Sequence, residues 1–222
     1  MPAAERPETR RSSLAESTAD HPATPYGATA AEPPDRSEIG STVMSSAAGK
    51  PAATDADPDQ IAIRLCAEAD ASQLADLYNH YVTSSTVTFD LEPRSLAEQV
   101  DWIRSHSGSH PAVVAHVGET VIGYSSLTPY RPRLAYTTSV EESIYVHKDW
   151  HGRGVGRLLM ARILELADLY GYHTVIARVV GGHSASIALH ESLGFAQIGT
   201  ERQIGRKFGR WLDVVVLQYM VP

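Results

Sequence analysis

The chain is short of cysteine, of basic excess and of long apolar runs, and each shortage excludes something. A single cysteine, Cys66, leaves no internal disulfide to form and fits a reducing cytoplasm. Cys66 stands in the apolar–polar alternation of residues 61–66, which gives it a packing role rather than a nucleophilic one. No run of about 18 apolar residues occurs, so no membrane-spanning helix is expected. The arginines near the N-terminus are not followed by an apolar core of about 7–15 residues, so a secretory signal is not expected either. Lys and Arg number 19 against 26 Asp and Glu, a formal net charge of −7. Nucleic acid is therefore not expected as the main partner.

Large apolar residues are nearly missing before about Pro58, where Ala, Pro, Ser, Thr and acidic residues dominate. Nine acids and five bases give that stretch −4, leaving −3 of the total −7 for the rest. Such a stretch cannot bury enough surface to offset its ordering entropy. Residues 1–58 are expected to be a disordered tail, and residues 59–222 one folded domain.

What is present after the tail is regular patterning. Residues 61–66 alternate as a strand. Asp70 or Ser72 can cap a helix carrying Leu74, Leu77, Tyr78 and Tyr81 on one face. A second helix is expected over 95–105, with Leu96, Val100 and Ile103 at helical spacing. Residues 112–117 and 120–127 flank Gly118 and Glu119 as a hairpin. A central strand over 139–146 precedes a long helix over 153–170, stopped by Gly171. A strand over 174–180, a short helix over 184–193 and a strand pair over 196–204 and 212–220 complete the order β-α-α-β-β-β-α-β-α-β-β.

The richest segment is the junction of the central strand with the long helix. Ser143, Ile144, Tyr145 and Val146 lead into His151-Gly152-Arg153-Gly154-Val155-Gly156, and the helix opens at Arg157 and Leu158. Glycines let backbone approach a ligand, and a helix N-terminus offers unpaired N–H groups and a positive dipole end. Together they make a socket for phosphate or pyrophosphate. A dinucleotide fold fits less well, because its fingerprint is G-x-G-x-x-G and this loop reads G-x-G-x-G. A second signal lies in Leu189-His190-Glu191-Ser192-Leu193-Gly194-Phe195, a helix end with a glycine stop entering a strand.

These two segments resemble the Gcn5-related N-acetyltransferase (GNAT) family, whose similar strand–loop–helix holds the pyrophosphate of acetyl-CoA. The family's loop usually begins with Gln or Arg, where this chain has His151. The resemblance implies the α/β (α+β) class: a mixed, mostly antiparallel central sheet of about seven strands flanked by about four helices, the GNAT fold. It implies that the backbone of Ile144, Tyr145 and Val146 pairs with the pantetheine amides of acetyl-CoA. His151, Gly152, Arg153, Gly154, Val155, Gly156 and Arg157 would surround the pyrophosphate. His183, where the family often has Asn, and Ser186 would lie along the CoA arm.

Further segments are similar to the phosphinothricin acetyltransferase branch of that family. They include Tyr78-Asn79-His80-Tyr81-Val82, Thr86-Val87-Thr88-Phe89, Arg131-Pro132-Arg133-Leu134-Ala135-Tyr136, Val140-Glu141 and the run from Gly205 to Val214. The branch acetylates the amino group of phosphinothricin or of related glutamate-like amino acids such as methionine sulfone and sulfoximine. The resemblance carries one catalytic role onto Glu141 and the other onto His190, leaving open which is base and which is acid. Strand alternation puts Glu141 and Glu142 on opposite faces, so only one of them can enter the site, and the resemblance selects Glu141. Arg131 and Arg133 are the candidates for an acceptor's anionic groups, since a guanidinium donates two parallel hydrogen bonds. Phe89 and Tyr136 would wall the pocket.

The resemblance also implies a homodimer. The run of Arg206, Lys207, Phe208, Arg210 and Trp211 could be taken for a nucleic-acid patch, but a hairpin tip explains it equally well. His147 and His151 are spaced i, i+4 but fall in a loop, so no metal is expected. Competing expectations are acetylation of another amine (a polyamine, an aminoglycoside or a protein N-terminus) and a non-catalytic acyl-CoA-binding module.

Overall fold

A computed structural model describes residues 61–222. The expected tail, residues 1–58, lies outside the described residues. The order of elements is β1 (Ala62–Leu65), α1 (Ala71–Ser84), α2 (Leu96–Ser105), β2 (Ala112–Val117), β3 (Thr120–Pro129), β4 (Ser139–Val146), α3 (Val155–Leu169), β5 (Thr174–Val180), α4 (Ser184–Glu191), β6 (Ala196–Lys207) and β7 (Arg210–Met220). The strands form one sheet in the order β1-β2-β3-β4-β5-β7-β6. Of the adjacent pairs only β4–β5 is parallel. The expected class, with seven strands and four helices around a mostly antiparallel sheet, is what the chain adopts.

Each face of the sheet buries its own apolar cluster. On one face Leu74, Leu77, Tyr78 and Val82 of α1 and Ile103 of α2 pack on Val114, Val121 and Tyr124. These α1 positions are spaced i, i+3, i+4 and i+8, one stripe of a helix. On the other face Leu159, Met160, Ile163, Leu166 and Ala167 of α3 pack on Val113, Ile122, Val140, Val175 and Leu217. Ile187 and Leu189 of α4 join that second cluster. The sheet therefore carries α1 and α2 on one side and α3 and α4 on the other.

Element ends follow local chemistry. Ser95 caps α2, accepting from the Glu98 amide while Glu98 accepts from the Ser95 amide. A cap of this kind is worth about 1 kcal/mol. Asp70 does not cap α1 through its side chain. Its carboxylate instead takes two hydrogen bonds from Arg64, both 2.7 Å, and one from the Ala67 amide at 2.9 Å. The long helix starts at Val155, two residues later than expected, because Gly154 has φ +82° and stands outside the helix as its N-cap.

The last two strands run further than alternation suggested. A bulge centred on Gln203 (φ 51°), whose amide donates to Asp213 Oδ1 at 2.7 Å, breaks the alternation without ending the strand. The hairpin turns only at Phe208 and Gly209, with φ 49° and 74°, the positive pair that a tight hairpin favours.

Candidate active site

The site arises from a splay in the sheet. β4 and β5 pair only from Ser139 with Thr174 to Glu142 with Ala177. Beyond that rung β4 stays with β3 as far as Val146, and β5 stays with β7 as far as Val180. The strands part and leave a cleft of about 600 Å³. One wall is Glu142, Ser143, Ile144, Tyr145 and Val146; the other is Ala177, Arg178, Val179 and Val180. Backbone groups of β4 that face the gap have lost β5 as a partner, so an extended amide chain can pair there.

The mouth of the cleft is the glycine loop and the start of α3. Gly152, Gly154, Val155, Gly156 and Arg157 line it. Gly152 and Gly154, at φ +73° and +82°, take conformations that L side chains rarely adopt. The first-turn N–H groups of α3 have no acceptor within the helix. Such a terminus suits a pyrophosphate. Arg153 is absent from the lining; its guanidinium lies 5.0 Å from the centre of the Trp150 ring.

His151 also lines the cleft, but its ring turns back to the end of β4. Its Nε2 lies 3.0 Å from both Tyr81 Oη and the Val146 carbonyl, and Tyr81 donates to that same carbonyl. His183 Nε2 is 3.2 Å from Thr86 Oγ1, which ties the β5–α4 turn to the loop after α1. Burial lowers the His183 pKa and favours its neutral form. Ser186 lines the cleft as well, and its carbonyl holds His190.

His190 and Glu141 are not brought together. His190 is buried at the closed end of the cleft, with Nε2 3.1 Å from Glu142 Oε2 and Nδ1 2.7 Å from the Ser186 carbonyl. Burial alone would lower its pKa, but the hydrogen bond and charge of Glu142 and the Ser186 carbonyl outweigh that, and the pKa is raised. Glu141 projects from the opposite face of β4 and does not line the cleft. Burial raises its carboxyl pKa, Arg178 opposes that, and Glu142 and Glu201 raise it further. Arg178 is itself paired with Glu201.

The four acceptor candidates also lie outside the cleft lining. Phe89 packs on β6, where a Cβ on Gly205 would come within 2.3 Å of its ring. Arg131 stacks on Tyr130 and Tyr136, at 4.9 and 5.8 Å from their ring centres, and Arg133 is exposed. Arg131, Arg133 and Tyr136 share the loop that leads directly into β4 and Glu141.

Glu142, Tyr81, Arg178 and Trp150 line the site without having been singled out from sequence. For Glu142 a signal existed: it is a carboxylate in register with Val140, Ile144 and Val146, an otherwise apolar face. Among the described residues no group of three or more His, Cys, Asp or Glu side chains could hold a metal ion. No helix among them is long and apolar enough to cross a membrane.

A splayed parallel pair with a glycine-rich helix N-terminus at its mouth can take an extended amide chain ending in a phosphate group, and comparison with known proteins identifies the class that uses such a site. The model of the acetyltransferase (GNAT) domain matches residues 63–216. A phosphinothricin N-acetyltransferase from Streptomyces coelicolor is 40% identical over 159 residues, 70% of this chain and 93% of the relative. A methionine sulfoximine and methionine sulfone acetyltransferase from Pseudomonas paraeruginosa is 35% identical over 158 residues, 70% of this chain and 92% of the relative. The solved structure of a phosphinothricin acetyltransferase from Sinorhizobium meliloti, in complex with acetyl-CoA, superposes with a TM-score of 0.70 at 33% identity, covering 73% of this chain and 89% of that one. The chain belongs to the GNAT acetyltransferase family. It is an N-acetyltransferase with acetyl-CoA as co-substrate.

Proposed function

We propose that the enzyme acetylates the amino group of a small glutamate-like amino acid of the phosphinothricin, methionine sulfone or methionine sulfoximine type. The acceptor attacks acetyl-CoA directly in a ternary complex. The observation that carries this reading is the similarity to relatives named for those acceptors over about nine-tenths of their length.

Free amines have pKa values of about 8–10, so the acceptor arrives as an ammonium and must lose a proton before its nitrogen can attack. Glu141 takes that proton. Its carboxyl pKa is raised, chiefly by burial, which makes the carboxylate a stronger base. The nitrogen adds to the thioester carbonyl carbon, the carbon–sulfur bond breaks, and His190 protonates the departing thiolate. The β4 backbone at Ile144, Tyr145 and Val146 pairs with the pantetheine, and Val146 N–H stabilises the oxyanion. Gly152, Gly154, Val155, Gly156 and Arg157, with Arg153 and His151 beside them, hold the pyrophosphate, and His183 and Ser186 flank the CoA arm.

Arg131 and Arg133 hold the anionic groups of the acceptor, with Tyr136 and Phe89 as walls. Their loop enters β4 two residues before Glu141, which supports the placement. A homodimer through the β6–β7 hairpin is part of the same proposal, supported by the exposed Ile198, Ile204, Phe208 and Trp211. The proposed compartment is the cytoplasm.

The test is thiol release from acetyl-CoA with phosphinothricin, methionine sulfone, methionine sulfoximine, spermidine and an aminoglycoside as acceptors. Turnover confined to the three amino acids is expected. Turnover confined to the cationic amines would overturn the acceptor assignment while keeping the acetyl-CoA chemistry.

A further inference from the structure

Glu142 interrupts the apolar stripe that Val140, Ile144 and Val146 present on the α3–α4 face of β4. Its side chain is 1% exposed, and that of His190 is 2% exposed. Both carboxylate oxygens are engaged: Oε1 accepts from Ser125 Oγ at 2.9 Å, and Oε2 lies 3.1 Å from His190 Nε2. The other imidazole nitrogen, Nδ1, lies 2.7 Å from the Ser186 carbonyl, which can only accept. Nδ1 must therefore carry hydrogen. If Nε2 were bare, its lone pair would face a carboxylate oxygen with no proton between them. Ser125 spends its one hydrogen on Oε1, so the missing proton belongs between Oε2 and Nε2.

The position of the pair makes this relevant to the chemistry. β4–β5 pairing stops at Glu142 and Ala177, so the pair sits at the closed end of the cleft, opposite the glycine loop. A cofactor with its pyrophosphate at the loop and its pantetheine along β4 brings its thioester to that end. We propose that Glu142 is the positioning residue that keeps His190 doubly protonated there, so that His190 delivers the proton to the departing thiolate. The role in catalysis rests on the acetyl-transfer reading above. When the carbon–sulfur bond breaks, the thiolate takes the proton from Nε2. The imidazole is left neutral, with Nδ1–H still on Ser186 and a bare Nε2 against Glu142 Oε2, an unfavourable contact that draws a proton back onto the pair before the next turnover. The proton that the ammonium gives up to Glu141 balances the one His190 loses.

Few other charges bear on the pair. On β4 it is Glu141, and on β5 Arg178, which is paired with Glu201 of β6. The α3 wall carries Arg157 and the β5–α4 turn His183, both on the cleft. From β3 the contact is the neutral Ser125, and just before β6 the Phe195 ring stands near-perpendicular to the imidazole, with centres 5.0 Å apart.

The experiment is a histidine ring NMR titration of the whole protein, with the His190 signal assigned by its loss in His190→Gln, alongside the pH profile of turnover. In the parent enzyme the His190 midpoint is expected above the ordinary histidine value of about 6.5. In Glu142→Gln it should fall by about one pH unit or more, and the alkaline limb of the turnover profile should move down with it. Glu142→Asp should restore part of the shift, and Ser125→Ala should lower the midpoint by less. A midpoint and pH profile unmoved in Glu142→Gln would overturn the proposal. If Glu142→Gln does not fold, an unmoved midpoint in both Glu142→Asp and Ser125→Ala would do the same. A protein silent with every amine whose His190 midpoint still falls in Glu142→Gln would uphold the pair and sink the acceptor reading.

Discussion

The proposed cofactor wall and the proposed acceptor side of this enzyme are built from different material. The cofactor wall is strand backbone from β4, two glycines at positive φ and the first turn of α3; Ile144, Val146 and Val155 tie the strand and the helix to the apolar cluster beneath α3. The acceptor side, as proposed above, is made of connections: the loop after α1, the loop before β4 and the β6–β7 hairpin. Those connections are fixed by polar ties rather than by a core. Tyr78 Oη lies 2.8 Å from Thr88 Oγ1 and donates to Asp90 at 2.7 Å. Asn79 bonds both the amide and the carbonyl of Arg94, and the buried Lys207 donates to the Thr88 carbonyl at 2.9 Å. One side offers a fixed socket for an invariant cofactor. The other offers side chains on loops, where specificity for one amine over another can be set without disturbing the socket.

If that division holds, substitutions should separate cleanly into those that stop chemistry, those that weaken the acceptor and those that weaken acetyl-CoA. The largest effect is expected at the two proton-transfer groups. Glu141→Gln and His190→Ala should each lower turnover by about 10²–10⁴-fold with acetyl-CoA binding retained, read by thiol release and calorimetry. Next, Arg133→Ala should lower kcat/KM for an anionic amino acid by about 10–100-fold, the value of a charged hydrogen bond, with acetyl-CoA affinity unchanged. On the opposite wall, Gly154→Ala forces a Cβ into φ +82°, at a cost of about 1–2 kcal/mol. It should weaken acetyl-CoA binding by about 5–30-fold and leave the acceptor KM alone. The smallest effect is expected from Thr86→Val, which frees His183 and should change either KM by only a few-fold.

Stability should report the same buried pair. The folded pKa of His190 is raised, so its contribution is fully present below the unfolded value and lost as pH rises through the folded value. Thermal denaturation of the parent should lose more between mildly acidic and alkaline pH than that of His190→Gln. Equal losses in the two proteins would remove the charged imidazole from the account.

The sequence was most readable where backbone does the work. The glycine loop, the α3 stripe and the alternation of β4 come from residue types whose conformational preferences are strong, and each element lies where those preferences put it. Sheet order was not readable from periodicity, because alternation says that a strand exists and not which strand it pairs with. The extra length of β6 and β7 was hidden by the bulge at Gln203, which breaks the period without ending the strand. Glu142 was passed over because the resemblance selected Glu141, although Glu142 falls in the apolar register of Val140, Ile144 and Val146. What it holds, Ser125 on one side and His190 on the other, depends on elements distant in sequence and was not readable. Tyr81 fits the helical stripe of α1, and nothing local marks its hydroxyl as reaching the carbonyl of Val146 on another element.

The most direct measurement is a crystal structure of the enzyme with acetyl-CoA bound. The account predicts the pyrophosphate on the N–H groups of Gly152, Gly154, Val155, Gly156 and Arg157, the pantetheine along Ile144, Tyr145 and Val146, and the thioester sulfur within hydrogen-bonding reach of His190. A thioester that ends away from the Glu142–His190 pair, or a pantetheine that bypasses the gap between β4 and β5, would contradict it.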